Sequence, residues 1–165
     1  MLIDHLVYAV PDLPAAVADV AERSGVRAQA GGKHIGLGTH NALLALGPQT
    51  YLEIIAPDHE QLEPSMPRPF GVDSVGHGRL VSWALACDDI DAAVAAARSR
   101  GYDPGDVADG QRAEPTGTVL RWRLTVSEMA GGLAPFLISW GETDQHDAAV
   151  TALRTRHLDD GVCPA

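Results

Sequence analysis

Residues 3–13 read IDHLVYAVPDL, and residues 81–90 read VSWALACDDI. Setting Asp12-Leu13 against Asp89-Ile90 pairs Val10 with Cys87, Ala9 with Ala86, Tyr8 with Leu85 and His5 with Ser82. Downstream, LPAAVADVAERSG falls on IDAAVAAARSRG. Self-similarity at a fixed offset marks a supersecondary unit used twice. Each copy reads as an apolar strand, an acidic cap, a short helix and a glycine stop.

Local chemistry supports the helices. Asp12 and Asp89 can accept hydrogen bonds from the free N–H groups of a first helical turn. Pro14 lies in that turn, where a missing N–H costs little. Leu13, Val17 and Val20 recur at helical spacing, as do Ile90, Val94 and Ala97. Gly25 and Gly101 supply the permissive position past each C-terminus. After each helix come three strand-like runs: VRAQAGG, HNALLALG and TYLEIIAP in the first copy, GYDPGDVADG, TVLRWRLTV and APFLISWGE in the second, divided by Gly and Pro. The expected fold is therefore α+β: two tandem βαβββ modules whose inner faces bury one another in a cup-shaped mixed or antiparallel sheet, plus a C-terminal helix. The modules are expected at 1–56 and 79–142, in one domain overall.

Between them, residues 57–78 carry prolines at 57, 64, 67 and 69. Proline disfavours helix interiors and central strands, so this segment is a connector that either drapes over the surface or closes a pocket. Residues 143–165 form the C-terminal helix and tail, with Val150, Leu153 and His157 on one stripe of DQHDAAVTALRTRHL.

Composition narrows the function. The 165 residues are 45% hydrophobic and 21% charged, as in a globular domain. A net charge of −10 argues against binding nucleic acid through its phosphates. No apolar run reaches the ~18 residues of a membrane span, and the N-terminus lacks the basic region of a signal peptide. Two cysteines make no disulfide framework. The expectation is a cytoplasmic protein with neither nucleic-acid nor membrane partners.

The repeat, the IDHLVYAVPDL start and the strand YLEIIAP resemble the vicinal oxygen chelate superfamily, and more narrowly its glyoxalase-like domain proteins. GGKHIGLGTHNALLALG, GRLVSWALACDDIDAAVAAA, GTVLRWRLT and APFLISWGE resemble segments of the same group. The resemblance covers roughly residues 2–142. It implies a divalent metal ion (Zn, Ni, Fe or Mn) in the cup, a small-molecule ligand and a homodimer. The ligand positions it implies are His5 and Glu53 in the first module and Ser82 and Ser139 in the second. A serine hydroxyl is a poor ligand for a divalent ion, so half of this site is degraded and the alternative is no metal at all.

Strand alternation puts His5, Val7 and Ala9 on one face and Leu6, Tyr8 and Val10 on the other. Glu53 lies between Leu52 and Ile54, and a buried carboxylate must be paired, protonated or metal-bound. With His5 it forms half a metal site, a general acid–base couple or a structural ion pair. The glycine-rich GGKHIGLGTHN offers His34, His40 and Asn41 to a ligand, or is a plain hairpin. Arg121 and Arg123 share one face of a strand, where they either grip a carboxylate or phosphate in the cup or pair with local acids at the surface. Trp140 either stacks on a ligand or fills core. Two functions follow: a metal-assisted lyase, isomerase or dioxygenase-type enzyme using His5 and Glu53, or a metal-free protein that sequesters a small molecule in the same cup.

Overall fold

The computed structural model describes residues 2–47, 49–114, 117, 119–126 and 134–141. The expected C-terminal helix lies outside the described residues. The first repeat folds as β1 (Leu2–Ala9), α1 (Leu13–Ser24), β2 (Gln29–His34), β3 (Thr39–Ala45) and β4 (Tyr51–Pro57). The second folds as β5 (Arg79–Ala86), α2 (Ile90–Ser99), β6 (Asp106–Ala113), β7 (Val119–Val126) and β8 (Phe136–Ser139). No helix among the described residues is long and apolar enough to cross a membrane.

Both helices start on the aspartates that the sequence offers. Asp12 Oδ1 accepts the Ala15 N–H at 2.9 Å and Asp89 Oδ1 accepts the Ala92 N–H at 3.0 Å. Helix α1 stops at Gly25, whose φ of 75° suits a residue without a Cβ.

The cup closes completely. Its strands form a barrel in the order β1-β4-β3-β2-β6-β7-β8-β5. Each module contributes one parallel pair, β1 with β4 and β5 with β8. The remaining pairs are antiparallel, and the modules are joined by β1 with β5 and by β2 with β6. Closure leaves no open sheet edge, which neither half could achieve alone.

Alternation divides each strand between two apolar cores. Inside the barrel Val7, Ala9, Ile55, Ala84, Phe136 and Ile138 pack together. Outside it, Val17 of α1 covers Ala42, Leu44, Ile54 and Ala56, while Ile90 and Val94 of α2 cover Leu137. The split of β1 expected from its sequence is the observed one: Val7 and Ala9 join the inner cluster, Tyr8 and Val10 the α1 cluster.

The connector closes a pocket. Buried Arg68 ties it down, donating from Nε to Gly38 O at 2.7 Å and from Nη1 and Nη2 to Asp73 and Glu63 at 2.8 Å each. Val72 and Val75 then reach the inner core through a 3-10 segment, Pro69–Ser74. Phe70 within it has φ of 59°, left-handed backbone that a bulky side chain seldom adopts. Its ring packs 5.8 Å from that of Phe136, over the barrel interior.

Gly110 of β6 sits where a Cβ would collide with Trp122 Nε1. Gly110→Ala should push the indole from its seat and lower stability by about 1–3 kcal/mol. A lowered urea midpoint, with altered tryptophan emission, is the expected result.

Candidate functional site

Five strands send polar side chains into one end of the barrel. Glu53 on β4 lies at the centre. Its inward direction follows from alternation with Tyr51 and Ile55, and its neighbours Leu52 and Ile54 pack outward under α1. His5 Nε2 approaches Glu53 Oε2 at 3.7 Å, and His34 Nε2 approaches Oε1 at 3.6 Å. Asn41 donates from Nδ2 to Oε1 at 2.6 Å. The carboxylate is thus flanked by an imidazole on each side and held by one amide, with all four residues buried.

A carboxylate behind His5 orients its ring. His5 Nδ1 lies 2.6 Å from Asp4 Oδ1, and Trp140 donates from Nε1 to Asp4 Oδ2 at 3.1 Å. The Tyr51 ring stacks on the imidazole at 4.8 Å and its hydroxyl also bonds Asp4. Burial, reinforced by the charges of Asp4 and Glu53, holds Tyr51 far above its ordinary pKa, as a neutral phenol. With Nδ1 engaged by Asp4, the free face of His5 is Nε2, aimed at Glu53.

His34 is tuned differently. Its Nδ1 lies 2.9 Å from Thr39 Oγ1. Burial pushes its pKa down from 6.5 to about 4; Arg112 adds to the depression and Glu53 opposes it. At neutral pH this ring is uncharged.

These groups line a cavity of about 90 Å³. His5, His34, Asn41, Tyr51, Glu53 and Arg112 form its polar wall. Leu37, Ile55, Pro69, Phe70, Trp122, Leu124, Phe136, Ile138 and Trp140 form the apolar remainder. Leu37, Trp122 and Trp140 also line a broad outer cleft of about 1130 Å³.

Of the candidates, His5, Glu53, His34, Asn41 and Trp140 meet at the cavity. His40 is on the outer face of β3, paired with Ala56 and half-buried. Arg121 and Arg123 are exposed on the outer face of β7 and line the cleft, Arg123 gripping Asp91 through two bonds of 2.7 and 3.0 Å. Ser82 does not line the cavity, although its inward neighbour Ala84 packs in the barrel core. Ser139 pairs with Arg123 on the outer face and donates to Asp88 O at 3.1 Å. Strand register gives Glu53 a different counterpart: Glu53 lies beside Val7, and in the second module Phe136 lies beside Ala84.

The donor set does not fit a metal held as the resemblance implies. Of the four positions it implies, only His5 and Glu53 bring donors into the cavity, fewer than the three protein ligands of an ordinary catalytic zinc site. The two imidazoles approach different oxygens of Glu53, and no group of three His, Cys, Asp or Glu among the described residues is arranged to hold an ion.

Sequence reasoning missed two polar residues of the cavity wall, Arg112 and Tyr51, and most of its apolar lining. Arg112 is 4% exposed on β6, paired with buried Leu120 and so inward-facing. A faint signal existed: alternation puts Arg112 on the same strand face as Gly110, whose missing side chain makes room for Trp122.

A family model described as a glyoxalase-like domain matches residues 3–161. Among solved structures, a hypothetical protein from Staphylococcus aureus is similar with a TM-score of 0.64 and 18% identity, over 93% of this chain and 63% of that one. The chain therefore spans under two thirds of that protein. Methylmalonyl-CoA epimerase from Mycobacterium tuberculosis is similar with a TM-score of 0.55 and 22% identity, over 83% and 86% of the two chains. A Streptomyces coelicolor methylmalonyl-CoA epimerase in complex with 2-nitronate-propionyl-CoA has a TM-score of 0.55 and 22% identity, over 83% and 95%. At these identities the likeness is one of fold. Among curated proteins none matches the chain.

The buried neutral His34 makes an acid-stability prediction. Between its folded pKa near 4 and its ordinary 6.5 the unfolded chain binds more protons, so stability falls as pH drops through that window. A depression of this size is worth roughly 3 kcal/mol by pH 4. Urea midpoints between pH 7.5 and 4 should show this loss in the wild type and a shallower slope in His34→Gln.

Proposed function

We propose that this chain, which belongs to the glyoxalase-like domain family of the vicinal oxygen chelate superfamily, catalyses proton transfer on a small organic molecule held inside the barrel. One observation carries this reading. A buried carboxylate, Glu53, faces His5 Nε2 at 3.7 Å in a largely apolar cavity, and Asp4 holds the far nitrogen of that imidazole.

The chemistry follows from the parts. Glu53 is the general base that takes a proton from a carbon beside a carbonyl group. Asn41 fixes the carboxylate through Oε1, which leaves Oε2 toward His5 and the cavity. His5 presents Nε2 to the cavity, and Asp4 fixes the ring through Nδ1. It is the proton-transfer partner on the other side of the substrate. Neutral His34 and the apolar wall add no competing positive charge. Shielding by Phe70 and the two indoles limits water, which strengthens each electrostatic contact inside. The reaction class is an isomerase or lyase type. Similarity to methylmalonyl-CoA epimerases in fold agrees with proton transfer as a chemistry that this barrel can house, and rests on analogy.

The test is solvent-deuterium exchange into C–H bonds next to the carbonyl of short 2-oxo acids and 2-oxo alcohols, followed by proton NMR. Wild type should exchange at least one of them, and Glu53→Gln should be about 10²–10⁴-fold slower. Exchange equal in Glu53→Gln, or no exchange above the buffer rate with any of them, overturns proton transfer. Binding without exchange would instead support sequestration.

A further inference from the structure

The cavity contains a positive charge that the proton-transfer scheme does not use. Arg112 is 4% exposed, and a guanidinium keeps its charge inside proteins. Among the described residues its side chain makes one polar contact, from Nη2 to Glu114 Oε1 at 3.5 Å, the outer limit of a hydrogen bond. Its Nε has no hydrogen-bond partner. Asn41 Oδ1 likewise has no hydrogen-bond partner, while its amide nitrogen donates to Glu53. A buried guanidinium this weakly partnered is costly unless something else meets it.

The surrounding backbone is shaped around this side chain. A Cβ on Gly31 would collide with Asn41 Oδ1 and reach within 3.1 Å of Arg112 Nη1. A Cβ on Gly32 would collide with Ala113 O and approach Arg112 Cγ at 3.1 Å. Two consecutive glycines on β2 leave the room that the guanidinium and amide occupy. The first two glycines of the stretch thus make room for a buried cation, while Gly36 and Gly38 turn the β2–β3 hairpin with φ of 80° and 63°.

We propose that Arg112 is the anchor for a carboxylate on the substrate. This deepens, and rests on, the proton-transfer reading of the same cavity. A guanidinium matches a planar carboxylate with two parallel N–H donors. The apolar lining, with Leu37, Ile55, Leu124 and Phe136, asks for an apolar remainder. A tetrahedral oxyanion such as sulfate or phosphate offers none, and its second charge would stand beside Glu53. At about 90 Å³ the cavity holds the volume of roughly three waters, enough for a short carboxylic acid or the carboxylate end of a longer molecule. Any longer molecule would leave past Leu37, Trp122 and Trp140, the residues shared with the outer cleft.

Calorimetric titration with propionate, propionamide and sulfate tests this without any turnover. Wild type should bind propionate, and neither its neutral amide nor sulfate comparably. Arg112→Met should weaken propionate binding about 10- to 100-fold, the loss expected for hydrogen bonds to a charged group. Glu53→Gln should bind propionate at least as well as wild type, since a like charge has gone. Its exchange rate reports separately on the base, so either idea can fail alone. Arg112→Met should also unfold at the same or a higher temperature than wild type without ligand, because an unmet buried charge has been removed. Should Arg112→Met fail to fold, Arg112→Lys takes its place, with weakened propionate binding expected because lysine lacks the two-pronged fork. Undiminished propionate binding in a folded Arg112 variant, equal binding of sulfate, or no propionate binding by wild type would each overturn the proposal. Measuring full-length acids of increasing chain length separates a short substrate from the end of a long one: affinity that peaks at three or four carbons fits the first, and a steady rise fits the second.

Discussion

Closing eight strands on themselves imposes one constraint from which the rest follows. In a closed barrel every strand alternates between a single shared interior and an outer face. Eight strands leave an interior that side chains nearly fill, with room for at most a small ligand. Each polar side chain sent inward must therefore find its partner among the few others sent inward, since water cannot supply one cheaply. Glu53 meets Asn41, His5 and His34 for this reason, and Asp4 meets His5, Trp140 and Tyr51. The polar groups crowd one end, while Val7, Ala9, Ala84 and Ile138 fill the rest with hydrocarbon.

The two modules have divided the labour unequally. The first supplies His5, His34, Asn41, Tyr51 and Glu53, nearly all of the polar wall, with Asp4 behind His5. The second supplies rings and aliphatics, Trp122, Phe136, Ile138 and Trp140, together with the single cation Arg112. At the second-module counterpart of Glu53 stands Phe136, whose ring lies edge-on to the His5 imidazole at 5.5 Å. A symmetric fold thus houses an asymmetric site: one half carries the proton chemistry, the other the apolar wall and the charge opposite. The connector adds what neither module has, Phe70 over the opening, held in left-handed backbone by the anchored Arg68.

Much of this was legible in the chain, and the reason is local. Helix caps, helical spacing and glycine stops are set by neighbours within four residues, so Asp12, Asp89 and Gly25 could be read directly. Alternation within β1 likewise put His5 with Val7 and Ala9. On β7 the same rule separated Arg121 and Arg123 from Trp122, but it could not say which face was the inside. The arginines took the outer face because α2 lies there, bringing Asp91 within reach of Arg123, while the indole and leucines took the barrel core.

The sequence by itself determined the repeat, its βαβββ order and the capped helices. Each depends on residues near one another in the chain or on the repetition of one pattern. Only the tertiary structure decided that His5, Glu53, His34 and Arg112 meet in one cavity, that Ser139 faces away, and that Phe136 occupies the counterpart position of Glu53. Those facts hang on register between strands far apart in sequence, where a shift of a single residue turns every side chain to the other face.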